Sequence, residues 1–279
     1  MKIGYFGFNN GPLATAENTL QLLSWLEEAG FESAWTGEHV VAIDPQEPPS
    51  PIPARFPMLD TVAALSFAAA ATSKLKLGSG IILLAQRNPV VLAKSLSSID
   101  VLSNGRLLFG VGVGYVEREF EVIGVPFAER GARVDEHIDA IRTLWTQNPP
   151  DFDGRFTRIH GVQQQPGPIQ TPHPPVIIGG MSPAAYRRAI QRGDGWYGFA
   201  QAEEDTAASI DGLKAASGDT GAFDRLDISV TPRGAMDAER LRRFEDLGVH
   251  RLNVMPGAAG GSMDELHRFI DDTANTLIR

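Results

Sequence analysis

Apolar and polar positions alternate between two rhythms along the chain. Short runs that are nearly continuous in apolar residues include Lys2–Phe8, Ser33–Glu38, Leu75–Leu84, Arg106–Val113, Pro175–Gly180, Asp194–Ala200, Asp227–Thr231 and Arg251–Pro256. Their length and β-branched or aromatic content predict strands. Between them, apolar residues recur at helical spacing, as in Leu20 to Glu27, Val62 to Ala70, Val91 to Leu102, Arg133 to Trp145, Ala184 to Gln191, Ala238 to Leu247 and Leu266 to Leu277. Thr206–Ala216 carries the weakest helical pattern. Strands with apolar residues on both faces suit a parallel sheet covered by helices. Eight strand–helix units predict a (β/α)8 TIM barrel, with the whole chain as one domain. Two stretches interrupt the rhythm. Proline-rich Ala42–Pro57 reads as a long loop after the second strand. Asn148–Pro174 carries FDGRF, a hairpin signal, before a proline-pinned approach to the fifth strand.

Composition narrows the partners. The 279 residues are 43% hydrophobic and 21% charged, enough for one large core. There is no cysteine, which excludes disulfides, thiolate metal sites and a cysteine nucleophile. A net charge of −9 without a basic block argues against nucleic acid or an anionic membrane as partner. No apolar run reaches membrane-spanning length, and the opening MKIGYFGFNNG lacks a long apolar stretch or a cleavage signal. The expectation is a mature cytoplasmic protein acting on a small molecule. The six histidines and the carboxylates show no metal-ligand spacing, so no metal is expected.

In RLLFGVGVGY (Arg106–Tyr115), glycine stands at Gly110, Gly112 and Gly114. A dinucleotide fingerprint would need a third glycine where Tyr115 stands, so that reading fails. Alternate glycines bare one face of the fourth strand. Either a flat ligand lies against that backbone, or tight interior packing of the barrel demands small residues.

Arg87–Trp145, Phe31–His39 (FESAWTGEH) and Pro174–Gly198 resemble, in the right order, segments of the luciferase-like monooxygenase superfamily. The resemblance spans roughly Met1 to Gly198. Within that superfamily the chain looks most like the compact oxidoreductases that use coenzyme F420, a 5-deazaflavin, for hydride transfer with a small organic substrate; the alternatives are an FMN-dependent two-component monooxygenase and a non-catalytic flavin-binding barrel. It implies the same barrel, and a homodimer as an expectation from the family.

His39 ends the second strand at the expected barrel mouth, where a neutral imidazole can exchange the proton that accompanies hydride transfer. Its other reading is a histidine that caps a loop. The resemblance places an acidic residue at Glu38 near the flavin-type ring; pairing with an arginine such as Arg87 is the alternative. Val40 stands where bacterial-luciferase-like members often carry a second histidine. In GSGII the resemblance places a non-prolyl cis peptide at Gly80–Ile81, backing the ring. GGMSPAA, with Gly179, Gly180, Met181 and Ser182, ends a strand and opens a helix; it reads as a flavin phosphate site or as an ordinary capped helix. Gly112, Val113 and Gly114 would line the cofactor tail, and Phe6 or Phe8 would border the ring, with core packing as their other reading. Arg130, Arg133, Glu119 and Glu136 read as structural or solvated pairs without a chemical role.

Overall fold

The computed structural model describes residues 1–257 and 261–278. Eight parallel strands close into a ring. In chain order the first are β1 (Lys2–Phe6), β2 (Ser33–Thr36), β3 (Lys76–Ser79) with its continuation β4 (Ile82–Leu83), and β5 (Leu107–Gly112). A two-stranded antiparallel hairpin follows, β6 (Phe152–Asp153) and β7 (Arg158–Ile159), where the FDGRF signal falls. The ring is completed by β8 (Val176–Gly179), β9 (Gly195–Gln201), β10 (Asp227–Pro232) and β11 (Arg251–Val254). Closure comes from β1, which pairs with both β2 and β11, and from β3, which pairs with β5. All eight expected strands are present. The third is split at Gly80 and Ile81, where pairing passes from one strand piece to the next.

Nine α-helices surround the described ring: α1 (Ala16–Glu28), α2 (Thr61–Ala71), α3 (Pro89–Leu102), α4 (Glu117–Ile123), α5 (Arg130–Thr146), α6 (Pro183–Arg192), α7 (Glu203–Ser217), α8 (Ala238–Asp246) and α9 (Met263–Leu277). Local chemistry sets where they start. Asn88 accepts the Val90 and Val91 N–H groups ahead of Pro89, and Ser182 accepts the Ala185 N–H ahead of Pro183. The weak Thr206–Ala216 pattern forms α7 in full, whereas α4 was not expected from the apolar rhythm. It is only seven residues long, and four of them are charged or polar-faced glutamate and arginine, so its periodicity is too short to read. None of the described helices is long and apolar enough to cross a membrane.

Two cores share the barrel. The larger lies between the strands and the helices; the smaller fills the ring with Trp35, Leu108, Ile177 and Tyr197, and Phe6 and Ile81 pack on top. Trp35 and Tyr197 stack with centroids 5.6 Å apart. At the opposite end, Arg106 donates to the carbonyls of Ala69, Thr72, Leu75 and Ser103, tying the ends of α2 and α3 to the sheet. That end is built for stability.

The glycines of β5 and β8 are explained by this packing. A Cβ on Gly112 would lie 2.0 Å from Ile81 Cδ1, and one on Gly179 would lie 2.6 Å from the same atom. On Gly110 it would meet the Ser79 carbonyl oxygen at 1.8 Å. The bared strand face is therefore filled by the chain itself, chiefly by Ile81. Gly112→Ala should accordingly overpack the ring and cost about 1–3 kcal/mol. Thermal melts of Gly112→Ala, Ile81→Ala and the double variant test this: the double variant should recover part of the loss. Simple additivity would mean that the two residues do not meet.

Candidate active site

The barrel mouth has an apolar floor. The peptide bond between Gly80 and Ile81 is cis, at the position the family resemblance indicated. A Cβ on Gly80 would lie 3.2 Å from the Phe6 ring, so Phe6 stands directly beside this turn of backbone. Phe6 in turn contacts Phe199, with centroids 4.9 Å apart. Phe8 is not part of the floor. It is fully buried in the larger core. Of the two readings given for Phe6 and Phe8, core packing holds for Phe8: strand alternation would put both on one face, but Gly7 sits at φ +93° between them and ends it.

His39 and Glu119 meet at this mouth. His39 Nδ1 lies 2.7 Å from Glu119 Oε1, and the Gln86 side-chain amide donates to Glu119 Oε2 at 3.2 Å. Glu119 is almost completely buried, while the His39 side chain keeps 13% of its surface exposed. A carboxylate at Nδ1 makes that nitrogen the protonated one and leaves Nε2 free to accept a proton. Tyr115 presents its ring edge to His39, with centroids 6.2 Å apart. Burial, and then the Glu119 carboxylate, raise the Tyr115 phenol above its ordinary value, so it remains a neutral donor. Glu119 was read from sequence as having no chemical role; its place on the unexpected helix α4 is what brings it to His39. Nothing in the sequence linked it to a histidine 80 residues earlier.

Glu38 points elsewhere. Arg87 grips it with two hydrogen bonds, Nε to Oε1 at 3.1 Å and Nη2 to Oε2 at 2.9 Å, and Oε1 also accepts the Leu83 N–H at 3.0 Å. Arg87 Nη2 further bridges to Asp60 at 2.7 Å. Although burial opposes the charge, the Glu38 and Asp60 carboxylates hold the Arg87 guanidinium above its ordinary value. Both oxygens of Glu38 are thus engaged, and the alternative reading of this residue, pairing with Arg87, is the arrangement present. It fixes β4 and the segment leading to α3 beneath His39.

Across the mouth, Gly179 ends β8 beneath Ile81, and Gly180 follows at φ +121°, a conformation that favours glycine. Gly180 thereby turns the chain into α6, leaving Met181 exposed and Ser182 as the cap. The first turn of α6 carries no acidic residue, so nothing of the helix's own compensates the positive end of its dipole. These features fit a phosphate group, and the Phe6–Ile81–Phe199 floor fits a flat ring. Val113 is half-buried against the larger core, and Gly114 lies under the Phe120 ring. Neither is as open as the rim of α6. Among the described residues no cluster of histidine and carboxylate ligands could hold a metal.

Comparison with known proteins places this geometry. The model of the luciferase-like monooxygenase family matches residues 1–251. An uncharacterized protein of Mycobacterium tuberculosis (strain ATCC 25618 / H37Rv) is 31% identical over 222 residues, 78% of this chain and 76% of that one. An FMNH(2)-dependent dimethylsulfone monooxygenase of Pseudomonas putida is 35% identical over 163 residues, covering 57% of this chain and 45% of its own length. Two solved structures share the fold end to end. A monooxygenase of Streptomyces bottropensis superposes with a TM-score of 0.79 at 23% identity, covering 100% of this chain and 99% of its own. An F420-dependent secondary alcohol dehydrogenase does so with a TM-score of 0.77 at 17% identity, covering 99% and 98%. With the family pattern running from β1 to the start of β11 over a closed eight-stranded barrel, the chain belongs to the luciferase-like monooxygenase family.

Proposed function

We propose that this flavin-dependent oxidoreductase uses coenzyme F420 to pass a hydride to or from a small organic substrate. The observation that carries the reading is the 2.7 Å pair between His39 and the buried Glu119 at the edge of the apolar floor. Coenzyme F420 would supply a carbon centre that accepts or gives a hydride, a two-electron step that leaves a single proton to be managed. His39 is suited to that one proton. Glu119 holds Nδ1 protonated, so Nε2 takes the proton from a hydroxyl in the oxidising direction and returns it in the reducing direction. Glu119 also stabilises the charged imidazole while it carries the proton. Val40, next in sequence and 51% exposed, offers no second proton carrier. The α6 terminus from Gly180 to Ser182 would hold a phosphate, and Phe6, Ile81 and Phe199 would exclude water from below the ring. A second reading, an FMN-dependent monooxygenase, is favoured by the likeness to the Pseudomonas putida enzyme.

One titration separates the readings. Coenzyme F420 and FMN are added in turn while the fluorescence of the four tryptophans is followed. F420 should bind at least tenfold more tightly, about 1.4 kcal/mol, and reduced cofactor should be reoxidised by an organic acceptor without stoichiometric oxygen uptake. Tight FMN binding with oxygen consumption coupled to product would establish the monooxygenase instead.

The two carboxylates should separate by phenotype. His39→Ala should slow turnover by roughly 10²–10⁴-fold with little change in cofactor affinity. Glu119→Gln should slow it by about 10–100-fold, as loss of a group that orients a functional histidine does elsewhere. In nitrogen NMR it should abolish the preference for a protonated Nδ1 on His39. Glu38→Ala should lower the melting temperature, because it leaves Arg87 partly buried without its main partner, a loss of about 3–5 kcal/mol in buried pairs. A fully stable Glu38→Ala variant with no turnover would return Glu38 to the chemistry.

A further inference from the structure

Beside the mouth lies a second space. A cavity of about 540 Å³ sits between the C-terminal ends of β9, β10 and β11 and the inner side of α9. That is within the range of sites that hold small organic ligands. Phe199, Met236, Val254, Met255 and Phe269 line it. Phe199 stands at its junction with the mouth: 43% exposed, it touches Phe6, which borders Gly80.

The backbone opens this space. Ala200, in the cavity wall, has φ +53°, a left-handed conformation uncommon for a residue with a side chain. Opposite it the β9–β10 register shifts between Val230 and Pro232. β9 carries one extra residue there, a bulge that turns Phe199 and Ala200 toward the cavity before the ladder resumes at Gln201 and Pro232. The loop beyond β10 is held in place, since the Arg240 guanidinium donates to the carbonyls of Arg233 and Ala235 while its other edge pairs with Glu203. The wall is therefore formed in advance of any ligand, which lowers the entropic cost of binding.

Charge defines the occupant. Arg233 and Asp272 are the charged groups among the described lining residues. Arg233 is paired with Asp205 at 3.3 Å, and Arg240 is committed to Glu203 and the loop. An anionic ligand would find its nearest uncommitted charge in Asp272, which repels it. An uncharged, mainly apolar molecule has no charge to desolvate or repel on entry and gains contact with the aromatic and methionine side chains.

We propose that this cavity binds the apolar portion of an uncharged organic substrate, whose reacting end lies on the Phe6 side of Phe199. The word substrate rests on the oxidoreductase reading above; the binding does not. Calorimetric titration of the full chain with octan-2-ol and with octanoate tests it. Octan-2-ol should bind at least tenfold more tightly than octanoate. Met236→Trp, which fills the space, should weaken octan-2-ol at least tenfold and leave cofactor affinity within twofold. Because the added indole could disturb folding, Asp272→Lys at the exposed rim gives a second arm: octan-2-ol affinity should hold while octanoate gains several-fold. No octan-2-ol binding, equal affinity for the two probes, or a folded Met236→Trp variant with unchanged octan-2-ol affinity would overturn the proposal. So would an Asp272→Lys variant with unaltered octanoate affinity. Absence of hydride transfer to any acceptor, with these binding results intact, would defeat the hydride-transfer reading and leave the cavity assignment standing.

Discussion

The contact of Ile81 with the glycines of β5 and β8 sets the level of everything above it. With side chains at Gly112 or Gly179, Ile81 could not descend against those strands, and the segment between β3 and β4 would be pushed out of the ring. Phe6 packs against that segment from one side. The interior aromatics Trp35 and Tyr197 support it from below. Close packing makes such an arrangement stiff, because displacing one side chain forces its neighbours off their own contacts. The apolar floor thus inherits its position from the barrel interior, and the groups around the rim are placed relative to a surface that does not shift.

Two glutamates near His39 show how environment divides labour between identical side chains. Glu38 faces a guanidinium and a backbone N–H, which satisfy both of its oxygens. Glu119 faces an imidazole and an amide, neither of which carries a permanent charge. The first is a closed ion pair that braces the loop between β4 and α3. The second leaves its charge to be balanced by whatever proton His39 holds, so its energy changes with the protonation state of the ring. That dependence is what a group needs if it is to influence proton transfer, and Glu38 lacks it.

The barrel was legible because each strand is a separate apolar run and each long helix repeats its pattern over several turns. The place of His39 at the mouth was legible because it follows the end of a strand closely, and strand ends fix which face of the barrel a residue occupies. Three things were not. Helix α4 is too short to show a period, so Glu119 read as a structural or solvated residue, and its burial against His39 was not visible. The alternation of Phe6 and Phe8 was broken by the backbone at Gly7, a torsional property that no pattern of apolarity encodes. The space bared by Gly110 and Gly112 is filled by the Ser79 backbone and the Ile81 side chain, about 30 positions earlier in the chain. Sequence spacing showed that something must approach closely there, but not whether it was a ligand or the chain itself.

The same division explains how one barrel can carry different chemistries. Residues that determine the floor, such as Ile81, Gly112 and Trp35, are locked to one another, and changing any of them costs stability before it alters function. Residues on the exposed rim are less entangled. Tyr115, Met181, Phe199 and Met255 are all substantially exposed, so their replacement removes few contacts from the core. His39 lies between the two groups, with its Nδ1 edge tied to a buried carboxylate and part of its surface open to the mouth. A rim that can change over a floor that cannot is the condition under which chemistry diverges while His39 stays in register with the apolar surface below it.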